Sequence, residues 1–83
     1  MTRDDPNFDD LMVDAHRALL ALDGVTKRDS AKAVTAAVNN GQQIYSQLLV
    51  YQRTAWMTKA EANALQTTVD LLRARLRFFG VAA

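Results

Sequence analysis

The side chains able to do chemistry are few, and their spacing decides what they can do. His16 is the single histidine. It stands about two turns from Asp9 and Asp10 on the same predicted helix, where a general base or a phospho-accepting imidazole is conceivable. The local run Ala15-His16-Arg17-Ala18-Leu19-Leu20 lacks the Lys and small residues one turn on that such a role needs. A solvated helix residue is the expectation.

Asp10 and Asp14 are four residues apart with Asp9 adjacent, a spacing that places carboxylates together on a helix. Di-iron bundles need several Glu and Glu-x-x-His pairs on facing helices, and this chain has Glu61 alone. With no Cys, thiolate nucleophiles, zinc thiolates and disulfides are excluded. No Ser-His pairing and no Gly-rich phosphate cradle is present. These residues predict no catalytic centre, no metal and no cofactor.

The remaining chemical candidates are cations. Arg53, Arg73 and Arg77, with Arg75 and Lys59 nearby, make the best case for a nucleic-acid surface. Arg73 and Arg77 share a helical face, whereas Arg75 points elsewhere. A phosphate-tracking stripe carries more cations on one side. Complementing a helix C-terminus and pairing with Asp70 explain these arginines more simply. Nucleic acid is therefore the alternative and not the main expectation.

Three helices position these residues in an expected antiparallel all-α bundle, over residues 6–22, 27–57 and 59–79. In the first, Asp5 caps and Pro6 starts the helix. Phe8, Leu11, Met12, Ala15, Leu19 and Leu22 recur at three and four residues as one apolar face, and Asp23-Gly24 ends it. The second opens at Thr26 with Asp29 three residues on, an acidic variant of the capping box. Positions 31, 34, 38, 41, 45, 48, 52 and 55 form its seam, flanked by Ala33, Ala37, Ile44 and Tyr51. The resulting arc spans about 160°. Asn39-Asn40-Gly41 falls mid-helix, as a close crossing, a kink or a break into two helices.

The third helix has the clearest start, the capping box Thr58-Lys59-Ala60-Glu61. Its seam is Ala62, Leu65, Val69, Leu72, Leu76 and Phe79. A second stripe of Ala60, Ala64, Leu71, Ala74 and Phe78 lies on another side, and Gly80 is a natural C-cap. Short connections make consecutive helices antiparallel neighbours in one domain spanning residues 1–83.

Charge patterning adds a second message. The chain has 83 residues and a net charge of +1. Residues 1–26 carry six Asp against Arg3 and Arg17, while residues 27–83 carry eight Lys or Arg against three acids. Between them, residues 33–52 contain no charged side chain. Asn39, Asn40, Gln42, Gln43, Ser46, Gln47 and Gln52 rule out a membrane span there. The first six residues have no apolar core of the signal-peptide kind. A soluble cytoplasmic chain is expected.

An uncharged helix face and an apolar arc wider than one neighbour requires point to self-association. So does a second helix expected to be nearly twice as long as the first. The expected interface is Val34, Val38, Gly41, Ile44, Tyr45, Leu48, Tyr51, Trp56, Leu71 and Phe78. An antiparallel homodimer along the second and third helices is the expected form. The function that fits is non-enzymatic protein–protein interaction, as a scaffold, small chaperone or regulatory adaptor, with another protein as a possible further partner.

Overall fold

A computed structural model describes residues 8–25 and 30–81. Three helices follow in order: α1 over Phe8–Gly24, α2 over Ala31–Thr54 and α3 over Lys59–Phe78. Each packs against both others, so the chain is the expected three-helix bundle. Asp5 and Pro6, the expected start of the first helix, lie outside the described residues.

α1 continues through Asp23 and Gly24 instead of ending before them. Gly24 does not adopt a positive φ; among the described residues only Gly80 does, at +85°. Asp23 is held by Arg75 Nε at 2.8 Å, which ties the last turn of α1 to α3.

α2 is shorter than its sequence pattern suggests. Ser30, extended at φ −63° and ψ 151°, is its N-cap and accepts from the Ala33 N–H at 3.2 Å. Thr26 and Asp29, the expected capping pair, lie outside the described residues. At the other end Ala55 is extended and its N–H donates to Tyr51 O. One residue earlier the Thr54 hydroxyl donates back to Val50 O at 2.8 Å. The helix stops three residues before Met57. It has 24 residues, a length of about 36 Å. Against 17 residues in α1 and 20 in α3, the length mismatch expected from the sequence is much reduced.

α2 passes unbroken through Asn39-Asn40-Gly41. Gly41 is buried where α2 meets both neighbours. A Cβ built there would lie 3.2 Å from Leu22 Cδ1 on α1 and 3.2 Å from Leu76 Cδ2 on α3. The glycine is thus a close-crossing residue. Gly41→Val should lower stability by about 1–3 kcal/mol by overpacking, although it removes a helix-weakening glycine. Chemical denaturation measures this; an unchanged or raised midpoint would contradict the crossing.

α3 is bounded as its sequence predicts. Thr58 Oγ1 accepts from the Glu61 N–H at 3.2 Å, and Glu61 Oε1 accepts from the Thr58 N–H at 3.0 Å. At the far end Val81 N–H donates to Leu76 O and Gly80 N–H to Arg77 O. That pair of bonds is the Schellman arrangement, with Gly80 supplying the left-handed residue. Val81 also packs against the core.

The core draws Leu11, Ala15, Ala18 and Leu22 from α1, and Ile44 and Leu48 from α2. α3 adds Leu65, Val69, Leu72 and Leu76, four of its six predicted seam residues, with Ala62 and Phe79 half-buried. On α2 the buried line is Gly41, Ile44 and Leu48, rotated toward the residue expected only to flank the seam. The one buried polar side chain among the described residues, Thr68, donates to Ala64 O at 3.0 Å.

Candidate protein interface

The outer side of α3 carries a periodic run of uncovered side chains. Ala60, Ala64, Thr67, Leu71, Ala74 and Phe78 are all exposed and recur at steps of four and three. They fall within about 80° of one another and about 150° from the helix's buried face. Leu71 is 53% exposed and Phe78 75%. The sequence pattern identifies five of the six as a second stripe; Thr67 completes the register. Phe78 meets the half-buried Phe79 edge to face, with centroids 5.4 Å apart.

Charges flank this stripe and are engaged with the chain's own neighbours. On one side a polar ladder joins α3 to α2. Gln52 Nε2 donates to Gln66 Oε1 at 2.6 Å, and Gln66 Nε2 donates to Asp70 Oδ1 at 2.9 Å. Arg73 Nη1 lies 3.9 Å from the same oxygen, and Arg73 Nε donates to the Tyr45 hydroxyl at 3.0 Å. The guanidinium also sits 5.9 Å from the Tyr45 ring centroid. The Tyr45 hydrogen bond, chiefly, raises the Arg73 pKa above its ordinary value. On the other side, Arg75 reaches Asp23 on α1.

Trp56 projects from the corner between α2 and α3, 85% exposed. It does not close the end of the core. Met57 beside it is half-buried against the core.

The expected interface residues divide by depth. Gly41, Ile44 and Leu48 are buried in the chain's own core. Val34, Val38, Tyr45 and Tyr51 are half-buried; Tyr45 is held by Arg73, and Tyr51 stacks obliquely on Phe8 with centroids 6.4 Å apart. Trp56, Leu71 and Phe78 are exposed. Sequence reasoning missed Val13, Leu20 and Val50, which are 48%, 70% and 57% exposed. All three lie off the apolar faces read from the sequence, as their exposure shows.

The uncharged outer face of α2 is exposed as a band of small and amide side chains that includes Ala36, Asn40, Gln43 and Gln47. Between α1 and α2 an open groove of about 610 Å³ runs past Leu11, Val50, Tyr51 and Ala55, rimmed by Ser46, Gln47 and Thr54. Among the described residues no histidine or carboxylate lines it beside the hydroxyls of Ser46, Tyr51 and Thr54.

The other chemical candidates stay apart. His16 Nδ1 donates to Met12 O at 2.7 Å on the exposed side of α1. Among the described residues no three of His, Cys, Asp and Glu come together as metal ligands. The contacts of Gln52 with Gln66 and Tyr45 with Arg73 fix the antiparallel register of α2 and α3. That register separates Arg53 from Arg77 by about 18 Å along the bundle, with Arg73 held by Tyr45 between them. Among the described residues no single cationic stripe results. Among the described residues no helix is long and apolar enough to cross a membrane.

Protein-family models, curated proteins and solved structures provide no match to the chain.

Proposed function

We propose that this chain is a non-enzymatic helical interaction module that works as a homo-oligomer in the cytoplasm, as a scaffold, small chaperone or regulatory adaptor. The observation that carries the reading is the outer stripe of α3. It is periodic and uncharged and ends in a Phe exposed by 75%. Large aromatic side chains of this kind are the usual anchors of protein interfaces. The stripe lies outside the buried core of one chain. Covering it removes apolar area from water at about 25 cal/mol per Å².

Light scattering at tens of micromolar tests the proposal. The expected mass is twice the 9.2 kDa of one chain or a higher multiple. A compact particle of 9.2 kDa would overturn the self-association.

A further inference from the structure

The α3 stripe also carries the geometry of the assembly. We infer that two copies pair through α3 in antiparallel fashion, with Leu71 of each copy packed beside Thr67 of the other, a deduction that rests on the homo-oligomer reading above. The steps of four and three are those of a two-helix seam. What selects the direction is the size of the side chains along it.

The stripe is small at its start, with Ala60 and Ala64, and large at its end, with Phe78. Antiparallel pairing sets Phe78 over the second copy's Ala60, Ala74 over Ala64, and Leu71 over Thr67. Each large residue meets a smaller one, so the helix axes stay evenly spaced. Parallel pairing would set Phe78 against Phe78 at one end and Ala60 against Ala60 at the other, which forces the helices to splay.

Charge supports the same choice. In the antiparallel register Glu61 faces Arg75 of the second copy, twice by symmetry. Glu61 Oε1 is taken by both Thr58 bonds, while Oε2 remains for another donor. Arg75 uses Nε on Asp23 and keeps both terminal nitrogens. The two copies of Asp70 approach across the axis, each on its own chain accepting from Gln66 and lying near Arg73. The parallel register offers Asp70 to Arg75 but brings Arg73, Arg75 and Arg77 of both copies to one end. It also aligns the helix dipoles unfavourably. One seam thereby covers Leu71 and Phe78.

The absence of native Cys makes the register readable by cross-linking. Ala64→Cys and Ala74→Cys are oxidised mildly, each alone and as an equal mixture, with the mass of the reduced proteins measured in parallel. Ala64 and Ala74 are exposed, so both variants keep the core intact. The expected result is a covalent dimer from the mixture, with each single variant near background. Cross-linking of each variant alone would overturn the antiparallel direction and leave self-association standing. A reduced protein of dimer mass with no cross-link in any sample would overturn this face as the seam. A reduced protein of monomer mass would overturn both the seam and the homo-oligomer reading.

Discussion

Leu72→Ala should destabilise the protein by about 2–5 kcal/mol, a large share of the stability of a domain this small. Leu72 is fully buried on the middle of α3, which packs against both other helices. Truncation removes apolar contacts and leaves a cavity that three close-packed helices cannot fully collapse. The size of the core sets the scale: ten apolar residues are buried among those described, so each large one matters. A thermal melt followed by circular dichroism should fall by more than about 10 °C. Leu20→Ala is the matched control, because Leu20 is 70% exposed; its melt should move by no more than about 0.5 kcal/mol in equivalent stability. Equal shifts for the two variants would contradict the packing.

The second large effect concerns association without fold. Leu71→Asp combined with Phe78→Asp should weaken self-association at least about a hundredfold, while helicity is retained. Each residue occurs twice in a symmetric dimer, and covering a Leu or Phe contributes about 1.5–3 kcal/mol when complete. Neither side chain is in the bundle core, so the substitutions leave Leu65, Val69, Leu72 and Leu76 packed. The melting temperature of the native chain should rise with protein concentration, as it does for any folded oligomer. That of the double variant should not. Loss of helicity in the variant would show instead that the stripe supports the protomer.

These contrasts explain how much was legible in the residues. α3 could be read almost whole, because the Thr58-Glu61 box and Gly80 each satisfy backbone groups that nothing else nearby can. α2 was less legible at both ends. Thr26 with Asp29 carries a stronger local signal than Ser30, which has Ala33 where an acid would complete the box, yet Ser30 caps the observed helix. The early stop at Thr54, with Ala55 extended as the C-cap, is not announced by any glycine or proline in the sequence there.

The interface was legible only in part, for a physical reason. An arc of about 160° on α2 does not say which edge faces the chain's own core. Packing rotated that edge so that Gly41, Ile44 and Leu48 became internal. Tyr45 and Gln52, on the predicted seam, joined a ladder to α3. On α3 the two stripes lie nearly opposite each other, so burying one necessarily exposed the other. Trp56 sits outside both periodic patterns, and its exposure follows from where α2 ends.

Sedimentation equilibrium on the native chain and on the Leu71→Asp, Phe78→Asp double variant, at one matched concentration, tests the α3 surface most directly. The account predicts twice the 9.2 kDa chain mass for the native protein and the single chain mass for the variant. The same mass for both proteins would contradict it.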